Sequence, residues 1–195
     1  MTAVLSIDPG TSVSGWALVD TDTTAVLLSG KDLNDFVLGC CDGTLRRTDA
    51  AAVLIESMNG AHAGMPFGVE KIEAVRWAGR FEQAAISARC PVVRISREEV
   101  KRILLGSPSV RNADTVVRQW LIDRYAALAG DPLGGKAAAV GLKATPGPLF
   151  GVVRDAWSAV ALALAYVMGA DDIVTERTEA ARRKAERAPR KRDAA

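Results

Sequence analysis

Leu5-Ser6-Ile7-Asp8-Pro9-Gly10-Thr11-Ser12-Val13-Ser14-Gly15-Trp16-Ala17-Leu18-Val19 decides how this chain is read. An apolar run from Ala3 to Ile7 ends on the carboxylate of Asp8. Pro9 and Gly10 stop the strand, because proline lacks a ladder donor and glycine accepts positive φ. A second apolar run, Gly15 to Val19, completes a hairpin with Asp8 at the open end of its first strand. One reading of Asp8 is a turn former in an Asp-Pro-Gly corner. The other is a carboxylate facing metal or phosphate, because an acid ending a buried strand is costly unless solvated, paired or metal-bound.

Two other acids sit in comparable places. Ala51-Ala52-Val53-Leu54-Ile55-Glu56 is an apolar strand ending in an acid. Arg154-Asp155-Ala156-Trp157-Ser158 leads into the apolar helix Ala159 to Ala165, with Asp155 in its first turn. Two strand-end acids and one helix-start acid can converge on one sheet edge. An all-oxygen ligand set of this kind suits Mg²⁺ or Mn²⁺ and not zinc.

In this order and context, the three segments resemble the RuvC family of Holliday junction resolvases, within the RNase H-like nucleases. Val100-Lys101-Arg102-Ile103-Leu104-Leu105-Gly106 is similar to the family's Val-Lys-x-x-x-x-Gly segment. The resemblance spans about residues 3 to 170. It implies an α/β fold, with a mixed five-stranded RNase H-like sheet, the first three strands antiparallel, and helices on both faces. It also implies a homodimer that cuts four-way and other branched DNA with two Mg²⁺ or Mn²⁺ ions per site. Carried over residue by residue, Asp8 becomes the ligand shared by both ions, Glu56 and Asp155 complete one side each, and Lys101 binds the scissile phosphate. The family has a second acid three residues after its helix acid; this chain has Ser158, which could hold a metal-bound water. Shifting the alignment by one turn would put Asp155 at that second position and Val152 at the first. One acid is missing in either register.

Composition agrees with one domain and a tail. The 195 residues are 49% apolar, and no apolar run is long enough to span a bilayer. The start has no basic n-region, so no signal peptide and a cytoplasmic location are expected. Cys40, Cys41 and Cys90 read as reduced, small apolar residues, and with one histidine, His62, and no Cys-x-x-Cys, a zinc site is disfavoured. Net charge is +2, but eight Lys/Arg against four Asp/Glu lie beyond residue 175, which leaves the body at −2. DNA affinity should then come from local patches. The expected organisation is a nuclease domain over 1–172 and a basic tail over 173–195. A compact, cysteine-poor chain that departs this far from the bacterial type reads as a bacteriophage version.

Further elements follow in order. Thr24 to Leu28 reads as a third strand and Asp32 to Arg47 as a short helix or irregular connection. The Gly-rich stretch 57–68 reads as a mobile recognition loop in which Phe67 or Met65 could present an aromatic or apolar wedge to DNA, and His62 could touch phosphate. Val69 to Arg89 is a helix with an inward stripe of Ile72, Val75, Ala78, Phe81, Ala85 and Ala88, while Trp77 and Ile86 lie off it and could face a second subunit. Pro91 to Ile95 is a fifth strand. Ser96 and Glu99 form a capping box for the helix carrying Lys101 and Arg102, both candidates for DNA contact. Another helix runs from about Asn112 to Ala129, with Arg111 at its start as a DNA-contact candidate and Arg118 in reserve. Gly130 to Gly151 reads as a loop that orders on binding, with Lys136 and Lys143 following a phosphate backbone.

Two other functions compete with the nuclease. One is a junction-binding protein with a degraded active site. The other is a kinase or ATPase of the actin/sugar-kinase type, which also begins Asp-x-Gly-Thr; with 195 residues and no second copy of the motif, it is disfavoured.

Overall fold

The computed structural model describes residues 2–42, 50–57 and 68–169. Strands β1 (Ala3–Asp8), β2 (Val13–Asp20), β3 (Val26–Leu33), β4 (Ala50–Ser57) and β5 (Val92–Ser96) form one sheet in the order β3-β2-β1-β4-β5. The first three are antiparallel neighbours; β4 and β5 are parallel to β1. The helices are α1 (Asn34–Cys41), α2 (Val69–Ser87), α3 (Arg97–Leu105), α4 (Ala113–Leu128), the short α5 (Gly135–Ala139) and α6 over 156–169. The pair β6 (Gly141–Leu142) and β7 (Thr145–Pro146) makes a small hairpin after α5.

Alternation along the strands sorts their side chains onto two faces. Val4, Ala17, Val19, Ala52, Leu54 and Ile95 pack against α3, α4 and α6. Leu5, Ile7, Trp16, Leu18, Val53 and Ile55 face the other way, onto α1 and α2. The strands are therefore apolar on both sides, as a sheet covered by helices requires. α6 lies flat on the first face because its small residues Ala156, Ala159, Ala161, Ala163 and Ala165 are buried there. Tyr125 in α4 donates a buried hydrogen bond to the Thr24 carbonyl, 2.5 Å away, tying α4 to the β2–β3 turn.

Three expectations change. β3 is longer than Thr24 to Leu28, because it pairs along nearly all of β2, from Val13↔Leu33 to Val19↔Val26; this brings Lys31 into the sheet. On α2 the buried residues are Ala74, Phe81 and Ala85, while Ile72 and Val75 are exposed. Trp77 turns inward against Phe81, with ring centroids 5.8 Å apart, so it does not face outward as expected; Ile86 does. Phe81 and Ala85 stay inward as expected, while in the first half of the helix Ala74 takes the inner face in place of Ile72 and Val75. The Gly130 to Gly151 stretch carries its own structure, α5 and the β6–β7 hairpin, anchored by fully buried Ala139 and Leu149. The Ser96–Glu99 capping box forms as expected, and Gly106 closes α3 in the left-handed region at φ 75°.

Gly15 in β2 is a point of close main-chain approach between the hairpin and the start of α6. A Cβ there would lie 2.4 Å from both the carbonyl carbon and the oxygen of Asp155. Only glycine lets the start of α6 rest on the hairpin. Gly15→Ala is therefore expected to cost about 2 kcal/mol through overpacking against backbone that cannot yield. Urea denaturation would read this as a lower midpoint, and an unchanged midpoint would contradict the packing.

Candidate functional site

The sheet register builds the site. Asp8 pairs with Gly15, and Gly15 pairs with Lys31, so the three sit in one cross-strand row on the α6 face. Glu56 follows Ile55, the partner of Ile7, and so extends the row on the other side of Asp8. α6 begins over Gly15 and brings in Asp155 and Ser158. Arg97, the first residue of α3, closes the far end. The result is a cleft of about 470 Å³, lined by Asp8, Glu56, Arg97, Lys101, Asp114, Arg118, Arg154, Asp155, Trp157 and Ser158 together with apolar neighbours.

The turn carrying Asp8 is held by buried polar groups. The Ser14 hydroxyl accepts from the Gly10 N–H at 3.2 Å and donates to Asn34 Oδ1 at 2.7 Å, while Asn34 Nδ2 donates to the Gly10 carbonyl at 3.1 Å. Asn34 opens α1 and is almost fully buried, so it clamps the Asp-Pro-Gly corner from twenty-four residues away.

Asp8 and Glu56 are hydrogen-bonded to each other, and Ser158 is within hydrogen-bonding reach of Asp8. Burial, then the Asp8 charge, push the Glu56 carboxyl up to about 8. Burial also raises Asp8, against the opposing pull of Arg97. A proton thus rests on the pair at neutral pH, carried by Glu56. Arg97 Nε lies 3.2 Å from Glu56 Oε1 and its Nη1 lies 3.7 Å from Asp114 Oδ1. At neutral pH the first contact is a hydrogen bond to a mostly protonated carboxyl, because burial and Asp8 outweigh the guanidinium.

Asp155 behaves differently. Its side chain is 46% exposed against 14% for Glu56, and its Oδ2 is 2.6 Å from Lys31 Nζ. Among the described residues, no group of three His, Cys, Asp or Glu side chains is arranged to hold a metal ion. The expected three-acid convergence is therefore incomplete: Asp8 and Glu56 meet, and Asp155 shares the cleft but is drawn to Lys31. The chemistry of the Asp8–Glu56 pair, two oxygen donors and a proton to release, fits one divalent ion.

Of the cationic candidates, Lys101 lines the cleft and Arg102 does not. Arg111 is exposed outside it; the reserve, Arg118, lines it, with its guanidinium 4.6 Å from the Trp157 ring. Lys136 and Lys143 are exposed on α5 and the β6–β7 hairpin, away from the cleft lining. Phe67, Met65 and His62 lie outside the described residues, as do 43–49 and the basic tail from 170 onward. Sequence reasoning missed Lys31, Arg97, Asp114 and Arg154. A capping box just after a strand-end residue could have marked Arg97, which follows Ser96; the others had no local signal.

These features define a sheet and helix arrangement of the RNase H-like class, with acids at the ends of adjacent parallel strands. Within that class the chain has the fold of RuvC. The structure of Thermus thermophilus RuvC superposes with a TM-score of 0.57 at 20% identity, covering 88% of this chain and 96% of that one. T. thermophilus RuvC in complex with a Holliday junction substrate gives 0.54 at 19%, with the same coverage. No protein-family model matches the sequence, nor does any curated protein. Neither neighbour supports a bacteriophage origin. Among the described residues no helix is long and apolar enough to cross a membrane.

The Asp8–Glu56 pair carries a pH signature. Glu56 keeps its proton in the folded state up to about 8, whereas in the unfolded chain it releases it near 4.5. The unfolded state therefore gains on the folded one as pH rises through that window. In EDTA the melting temperature should fall between pH 5 and 8, and Glu56→Gln should flatten the decline. An equally steep decline in Glu56→Gln would mean that the pair does not share a proton.

Proposed function

We propose that the chain is a divalent-metal-dependent endonuclease acting on branched DNA, four-way junctions above all, as a homodimer. The observation that carries this is the Asp8–Glu56 pair at adjacent parallel strand ends of a RuvC fold, inside a cleft ringed by cations. Lys101, Arg118 and Arg154 line that cleft, and among the described residues none of them is in an ion pair. The first turns of α3, α4 and α6 also open onto it, and helix N-termini favour anions. The T. thermophilus RuvC neighbour bound to a Holliday junction supports branched DNA as the substrate class.

A divalent ion, Mg²⁺ or Mn²⁺, would supply charge to activate water and to offset the leaving 3′-oxygen. Asp8 and Glu56 would hold it once the shared proton and the Arg97 contact are released. Lys101, on the α3 wall, would bind the scissile phosphate and stabilise its developing charge. Arg118, steadied by the Trp157 ring, and Arg154, held at φ 45°, would hold phosphate oxygens on the α4 and α6 walls. Arg97 has Asp114 within reach as an alternative partner when Glu56 takes up an ion. The outer face of α2, with exposed Val69, Ile72, Val75 and Ile86, supplies an apolar surface for a second copy.

Ser158 favours a second reading, a junction binder without catalysis, since an acid is missing there. Incubating a synthetic four-way junction with Mg²⁺ or Mn²⁺ separates the two. Paired nicks, reduced at least about a hundredfold in Asp8→Asn, support the nuclease; tight binding without nicks in either metal supports the binder. Arg118→Ala and Lys101→Ala should each lower the salt slope of junction affinity by about one. Unchanged slopes would remove these side chains from the DNA interface. Val75→Asp should shift the chain from dimer to monomer in sedimentation, and a variant that stays dimeric would place the interface elsewhere.

A further inference from the structure

The acids of the cleft are not treated alike by the rest of the chain. Asp8 and Glu56 are half-buried and face one another. Asp155 is more exposed and is already matched by a lysine ammonium at 2.6 Å. The position of that lysine follows from the sheet. Lys31 sits opposite Gly15, and Gly15 sits opposite Asp8, so Lys31 and Asp8 flank the gap left by the missing side chain of Gly15. The main chain at Asp155 fills that gap. Asp155 therefore lies between a carboxylate on one side and an ammonium on the other, and its carboxylate takes the ammonium.

Lys31 lies outside the cleft lining, with its side chain 25% exposed, so it reaches Asp155 from the β3 side while the cleft side stays clear. On that cleft side stands Ser158, a neutral hydroxyl where a second acid would strengthen an ion site. A divalent ion bound between Asp8 and Asp155 would then lie close to a fixed positive charge, with one full carboxylate fewer to hold it. Charge repulsion and ligand count both oppose it.

We propose that Lys31 is a resident cation of the site: it matches Asp155 from the sheet side, closes that flank to a second divalent ion, and leaves Asp8 and Glu56 as the one ion-binding pair of the DNA-free protein. This rests on the metal-dependent reading above. Lys31 is a positioning residue in this scheme, since it holds Asp155 and does not line the cleft that would receive DNA. A second ion, where one is used, arrives with the phosphate that supplies its missing ligands.

The test is a count of Mn²⁺ ions per chain by electron paramagnetic resonance and calorimetry, on the full chain without DNA. The wild type should bind one ion and Lys31→Met two, and adding Asp155→Asn to Lys31→Met should return the count to one. Lys31→Arg, which keeps the charge, should behave as wild type and guards against a count altered by misfolding; circular dichroism melts confirm folding of each variant. Two ions of similar affinity in the wild type, or an unchanged count in folded Lys31→Met, would overturn the proposal. A wild type that binds no Mn²⁺ would instead strike the metal-dependent reading. In that case an ion gained by Lys31→Met through Asp155 retains the role of Lys31, and no gain rejects it.

Discussion

The contact between the bare backbone of Gly15 and the carbonyl of Asp155 is the constraint on which the site depends. It sets how closely α6 can approach the sheet, and so how far Asp155 and Ser158 stand from Asp8. A methyl group at that point would push the helix away by more than the contact allows. The small residues along α6 extend the same logic, since a flat, alanine-rich face lets a helix lie low on a sheet without voids. Proximity of acids is thus achieved by leaving side chains out.

Around this contact the electrostatics form an ordered line. Lys31, Asp155, Asp8, Glu56, Arg97 and Asp114 run across the sheet edge and into α3 and α4, with a cation near each end and carboxyl groups between. Burying several carboxylates together is costly, and the chain relieves the cost in two ways. One is a shared proton on Asp8 and Glu56; the other is a lysine or arginine at each flank. Lys101, Arg118 and Arg154 line the same cleft and, among the described residues, form no ion pair.

Much of this was legible in the residues. The apolar runs ending in Asp8 and Glu56 announced two strand ends, and the capping box at Ser96 and Glu99 announced the start of α3. The first hairpin and the apolar helix after Asp155 follow from local pattern, and the place of Lys101 on the cleft wall agrees with what the family resemblance implies. On α2, Phe81 and Ala85 face inward as their spacing implies, but Ile72 and Val75 look like core residues and only packing shows that Ala74 takes the inner face in their stead. The stretch after Gly130 was read as a loop from its glycines and prolines, yet the burial of Ala139 and Leu149 anchors it.

The sequence by itself determined the strands, their polarity of side chains and the acids that end them, because these depend on period-two alternation and turn chemistry within a few residues. The absent acid at Ser158 is visible only against the family pattern that the chain resembles. What only the tertiary structure decided was partnership: that Lys31 reaches Asp155, that Arg97 bridges Glu56 and Asp114, and that Asn34 clamps the Asp8 turn. Those pairs join residues from 17 to 124 positions apart, and their geometry comes from strand register and helix approach. No local pattern encodes a distance between elements; it is set when the sheet pairs and the helices settle on it.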